Sequence, residues 1–123
     1  MTVLCVDDEE LQLQIRKLLF EDEGFHVEVA QDGARALEIF RTKKIDAVVL
    51  DYNISGMDGL SVAEEMKRYD SHIPIVMLSG TAGALAEKTG CVQAWFQKAS
   101  SDPGELVRVV ERLARQGLDR GNA

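Results

Sequence analysis

The chain is poor in positive charge, in cysteine and in long hydrophobic runs, and each shortage closes off a class of function. Lys and Arg total 14 against 21 Asp and Glu, a formal net charge of −7. Gripping nucleic-acid phosphates takes a basic patch, so direct nucleic-acid binding is not expected. The two cysteines, Cys5 and Cys91, are too few for a disulfide framework and form no CxxC metal spacing. Cys5 lies within an apolar run and reads as a buried thiol. No apolar stretch is long enough to span a membrane, and no signal-like segment precedes the first strand-like run. A cytoplasmic protein without a membrane partner is expected. Repeats, low-complexity tracts and interdomain linkers are lacking as well. Gly80 and Gly83 do not make a nucleotide loop, because the Walker spacing and its Lys-Ser/Thr ending are missing.

What is present is an ordinary globular composition, 46% apolar and 28% charged, over 123 residues. One domain is expected, large enough to bury roughly two-thirds of its unfolded surface. Strand and helix patterns alternate, which predicts a parallel sheet covered on both faces. Strands are expected at 2–6, 25–30, 45–50, from 73 or 74, and 94–97. Phe25, Val27 and Val29 alternate with His26 and Glu28, as on an edge strand. Helix one should start near Glu9 and bury Leu11, Ile15, Leu18 and Leu19. Helix two should run from about Gly33 to Thr42, and helix three should begin after Asp58-Gly59 and run to about Tyr69. A short helix is expected over 82–89. The last helix has Asp102 as N-cap, Pro103 in its first turn and a stripe of Leu106, Val109, Val110 and Leu113. The domain is taken as 1–116, with a polar tail at 117–123. Right-handed crossovers then give a doubly wound five-stranded α/β sheet of order 2-1-3-4-5.

Four of these strands end in a chemically competent side chain. Val3-Leu4-Cys5-Val6 ends in Asp7-Asp8, Ala47-Val48-Val49-Leu50 in Asp51, Ile75-Val76-Met77-Leu78 in Ser79, and Ala94-Trp95-Phe96 one residue before Lys98. In an open parallel sheet those ends face one crevice. Clustered carboxylates repel and need a counter-charge, which magnesium can supply because it prefers oxygen ligands. The Asp carboxylates, the Lys98 ammonium and one divalent cation sum to zero. Asp51 is the best nucleophile, able to form an acyl phosphate.

The chain here resembles the receiver domains of two-component response regulators, with a CheY-like, flavodoxin-type (βα)5 fold, over roughly residues 1–115. The resemblance rests on Asp7-Asp8, on Asp51 in "LDYNISGMDG", on Ser79 and on the lysine of "FQKAS". It implies a phosphoprotein in which Asp51 takes a phosphoryl group from a sensor histidine kinase or a histidine phosphotransfer protein. Lys98 and Ser79 would assist. Magnesium, or manganese in its place, would be held by Asp8, Asp51, the Asn53 backbone carbonyl and, through water, Asp7. Ser79 and Trp95 would form the conformational switch, and Asn53 and Thr81 would tune the phosphoryl lifetime. Such a domain catalyses only its own phosphorylation and dephosphorylation, signals to a downstream effector, and works as a monomer or weak dimer.

The chain departs from the family pattern in three places. Ala99 follows Lys98 where the family has proline, so a trans Lys98–Ala99 peptide is expected. Ile54-Ser55 replaces the usual Met-Pro. The stretch from Ser79 to Lys98 is shorter than usual. The missing proline and the shortened stretch favour an alternative, a degenerate receiver that binds partners without phosphorylation. An aspartyl phosphatase of the haloacid-dehalogenase type would need DxDx[TV] after strand one, where Asp7-Asp8-Glu9 stands. A flavodoxin would need a Ser/Thr-rich loop there.

Overall fold

The structure, a computed structural model, describes residues 1–54, 57–80, 92–98 and 102–121. Chain order is β1 (Thr2–Val6), α1 (Glu10–Asp22), β2 (His26–Ala30), α2 (Gly33–Thr42), β3 (Ala47–Asp51), a short hairpin of β4 (Asn53–Ile54) and β5 (Met57–Asp58), α3 (Gly59–Tyr69), β6 (Ile75–Ser79), β7 (Ala94–Gln97) and α4 (Pro103–Gly121). The helix expected over 82–89 lies outside the described residues.

The main sheet is wholly parallel, in the order β2-β1-β3-β6-β7. Counting only its own strands, that is the expected 2-1-3-4-5. β1, β3 and β6 read as unbroken apolar runs because both faces are covered. Leu4, Val6, Val48, Leu50, Ile75 and Met77 pack with α2 and α3 on one side. Val3, Cys5, Val49, Val76 and Leu78 pack with α1 and α4 on the other. β2 is an edge strand as expected, but Val29 is exposed there instead of sharing the burial of Phe25 and Val27.

Side-chain caps set the helix starts. Asp32 Oδ1 accepts the Arg35 N–H at 2.7 Å, and Asp58 Oδ1 accepts the Ser61 N–H at 2.8 Å. Asp102 Oδ1 accepts the Gly104 N–H at 3.0 Å. α1 ends in a Schellman turn: Phe25 N–H donates to Phe20 O and Gly24 N–H to Glu21 O, each at 3.0 Å. Gly24 takes the left-handed φ of 92° that this turn requires. The Phe20 and Phe25 rings meet edge to face, 5.4 Å apart.

That turn fixes the rotation of α1, and the expected buried stripe is corrected by it. Leu13, Arg16 and Phe20 face inward, while Leu11, Ile15 and Leu18 are 66%, 45% and 68% exposed; Leu19, the fourth residue of the expected stripe, is partly buried against the core. α4 is rolled a little as well: Leu106, Val107, Val110 and Ala114 are buried, with Val109 and Leu113 only at the margin. α4 also continues through Gly121, so the tail expected from residue 117 is helical over most of its length. Among the described residues no helix is long and apolar enough to cross a membrane.

Candidate functional site at the carboxyl end of the sheet

Strand register brings the polar residues together. Val6 pairs with Leu50, Asp51 with Leu78, and Ser79 with Gln97. The hydrogen-bond ladder runs one step past the strand ends: Tyr52 N–H donates to Leu78 O and Lys98 N–H to Ser79 O, both at 2.8 Å. Asp7 N–H donates to Ala30 O at 3.2 Å, tying the acid pair to β2. Gly59 closes the back of the loop after Asp51. A Cβ there would stand 2.6 Å from the Asp51 carbonyl oxygen and 2.8 Å from Tyr52 Cα, so only glycine fits.

Asp7, Asp8 and Asp51 each present a carboxylate oxygen, all within 4.8 Å of one another. Asp7 and Asp51 are buried, at 0% and 3% exposure, while Asp8 faces solvent. Lys98 Nζ stands 2.8 Å from Asp51 Oδ2 and 3.1 Å from Asp7 Oδ2. Arg16 Nη1 stands 2.7 Å from that same Asp7 oxygen. The other Asp7 oxygen accepts the Glu9 N–H at 3.0 Å. Asp51 Oδ1 faces the Asn53 N–H at 3.4 Å.

These contacts set the charge states. Burial alone would raise Asp7, but the Glu9 N–H, the Arg16 guanidinium and the Lys98 ammonium outweigh it and hold Asp7 below the usual carboxylate range. Burial pushes Asp51 up; Lys98 pulls it back, but the negative charge of Asp7 adds to the rise and Asp51 stays above its ordinary value. Burial opposes the charge on Lys98, yet its two carboxylate partners raise it above its ordinary 10.5. The result is one firmly ionised acid, one strained acid and a firmly charged ammonium. A compact set of hard oxygen donors that still leaves an excess of negative charge fits a small divalent cation.

The sequence model of the response regulator receiver domain family matches residues 3–103. The chain belongs to this family. It is 34% identical to the response regulator MprA of Mycobacterium sp. (strain KMS) over 111 residues, covering 90% of this chain and 48% of MprA. It is 33% identical to the sensor histidine kinase GacS of Pseudomonas protegens over 134 residues, covering 98% of this chain and 14% of GacS. The receiver therefore spans less than half the length of either relative. Among solved structures it resembles the response regulator TrrA of Thermotoga maritima in complex with Mg(2+)-BeF, at 26% identity and a TM-score of 0.83, covering 91% of this chain and 97% of that one.

The remaining expected residues fall in different places in this receiver. Ser79 ends β6, is 4% exposed, and passes its backbone carbonyl to Lys98. Asn53 is exposed and reaches Asp51 by its backbone N–H. Trp95 sits opposite Met77 in β7, with its ring against the α2–α3 core and 6.4 Å from the Tyr52 ring. Trp95 Nε1 is buried and has no hydrogen-bond partner among the described residues. Thr81 and the Lys98–Ala99 peptide lie outside the described residues. Arg16 was not foreseen. Its signal was available: an arginine between Leu13 and Phe20 on one helical face needs a buried carboxylate, and Asp7 lies nine residues upstream at the end of β1.

Proposed function

We propose that this receiver accepts a phosphoryl group on Asp51 from a phosphohistidine donor, on a sensor kinase or a phosphotransfer protein, in a magnesium-dependent transfer. The observation that carries this reading is the buried Asp51 carboxylate, 2.8 Å from Lys98 Nζ and grouped with Asp7 and Asp8. An Asp51 oxygen attacks phosphorus and a P–O bond forms. The P–N bond to the donor imidazole breaks, and its electron pair stays on the ring nitrogen. Magnesium held by Asp8, Asp51 and the Asn53 carbonyl, with Asp7 through water, would neutralise developing charge on the transferred group. Lys98 turns its ammonium to a phosphoryl oxygen, and the Ser79 hydroxyl donates to another. Transfer of this kind needs little beyond positioning and charge stabilisation, which suits a site built from strand ends.

The proposed switch uses the same elements. Drawing Ser79 toward the phosphoryl group opens space beside β6, which the Trp95 ring fills, favouring a pre-existing second state. Cys5, a buried free thiol pushed up to about 12 by desolvation, suits a reducing cytoplasm. The domain turns over no other substrate. Its downstream effector binds whichever face the switch alters.

Incubation with a small phosphodonor and magnesium is expected to add a single phosphoryl mass, and Asp51→Asn to abolish it. Absence of any mass gain in the unaltered protein, with partner binding indifferent to Asp51→Asn, would leave only the phosphorylation-independent interaction module.

A further inference from the structure

Arg16 puts a second internal cation beside Lys98. Its guanidinium comes from the inward face of α1, its side chain is only 8% exposed, and Nη1 lies 2.7 Å from Asp7 Oδ2. Lys98 Nζ reaches the same oxygen at 3.1 Å. Fold stability alone does not call for this arrangement. A buried ion pair is commonly no more stabilising than well-packed apolar residues of similar volume, and a leucine at position 16 would simply join Leu13 and Phe20 in the core. A small cavity bordered by Gln12, Ile15, Leu19, Lys98 and Leu106 adjoins Arg16.

Formal charge shows what the second cation changes. With Lys98 alone, the site would be neutral when it holds a divalent cation and Asp51 is unmodified. With Arg16 included, that state carries one positive charge in excess. Converting Asp51 to an acyl phosphate replaces one negative charge by about two. Neutrality is then reached only when cation and phosphoryl group are both present.

Resting on the phosphoacceptor reading of Asp51, we propose that Arg16 is a positioning residue that moves the site's charge balance from the metal-loaded state to the metal-loaded, phosphorylated state. It acts through Asp7. It weakens binding of the cation to the unmodified site and strengthens retention of the phosphoryl group. Holding Asp7 in place is the second part of its role: with one oxygen bound to Glu9 N–H and the other to two cations, Asp7 has a single orientation.

Arg16→Gln tests this, with Arg16→Leu as a second variant that fills the space without charge and Arg16→Lys as the charge-preserving control. Magnesium affinity is measured by calorimetry, and beryllofluoride affinity by titration at saturating magnesium. Loss of one unit charge near a divalent ion in a water-rich site is expected to tighten magnesium about tenfold. Beryllofluoride, which mimics the phosphoryl group, is expected to bind about tenfold more weakly. Arg16→Lys should stay near the parent on both scales. Mere structural damage would weaken both ligands together, so affinities that fall in parallel, or do not move, would overturn the proposal. The parent protein separates the two questions. If it binds neither ligand, the phosphoacceptor reading fails; if it binds both and Arg16→Gln changes neither, only the role of Arg16 fails.

Discussion

The Lys98 ammonium lies 2.8 Å from the Asp51 carboxylate across 47 positions of sequence. The contact exists because β3 and β7 both pair with β6, so the last residue of β3 and the first residue past β7 face each other beside Ser79. Lys98 touches both buried acids. Lys98→Met keeps the length of the stem and removes the charge. Phosphorylation of Asp51 by a small donor is expected to fall about 10²-fold, the usual loss when a preorganised cation or donor is removed from a transition state. Rates from intact-mass kinetics at fixed magnesium would check this, and a variant within about threefold of the parent would count against a catalytic Lys98.

Asp51 and Asp7 should affect stability with opposite signs. Asp7 is held below its ordinary 3.8, so its stabilising contribution is complete above that value and is lost only as pH falls through its lower folded value. Asp51 is raised above 3.8, so at neutral pH its charge destabilises the fold, and the penalty disappears as pH falls through the raised value toward 3.8. Asp51→Asn is therefore expected to melt at a higher temperature than the parent at pH 7, with the gap closing under acid. Asp7→Asn should melt lower at pH 7. Thermal scans across pH 3–8 without metal test both signs, and a less stable Asp51→Asn at neutral pH would contradict the geometry.

Asp8 allows cation binding to be separated from folding. It is exposed, unlike Asp7 and Asp51, yet contributes an oxygen to the same cluster. Without metal, Asp8→Asn is expected to melt within about 0.5 kcal/mol of the parent, as most surface changes do. Magnesium at a hundredfold excess over its dissociation constant stabilises a folded state by about 2.7 kcal/mol. The parent should show a melting shift of that order, and Asp8→Asn little or none. An equal magnesium shift in both proteins would remove Asp8 from the cation site.

How much of this was legible in the sequence depended on whether a residue's environment was set locally. Val3 to Asp7 and Ala47 to Asp51 could be read directly, because central parallel strands are apolar throughout and end abruptly at their functional side chain. α2 was legible in outline: Ala36, Leu37 and Phe40 lie on its buried apolar face, which Ile39 completes. α1 was not. Leu11, Ile15 and Leu18 have helical spacing, and so do Leu13, Arg16 and Phe20, and hydrophobicity alone favours the wrong stripe. The choice was made by two contacts outside the helix itself, the seating of Phe20 on Phe25 and the carboxylate of Asp7 at the end of β1. Arg16 was therefore missed together with the rotation of its helix.

That rotation yields a direct test. If α1 is turned as described, Leu18 at 68% exposure and Leu11 at 66% contribute little to the core, while Leu13 at 3% is part of it. Leu11→Gln and Leu18→Gln are expected to leave stability within about 0.5 kcal/mol of the parent. Leu13→Ala should cost about 2–5 kcal/mol, since it empties a packed site between α1 and the sheet. Urea denaturation of the three variants measures this directly. The opposite ranking would restore the stripe of Leu11, Ile15 and Leu18 to the interior, and it would also turn Arg16 away from Asp7, because one helix cannot present both faces to the same sheet.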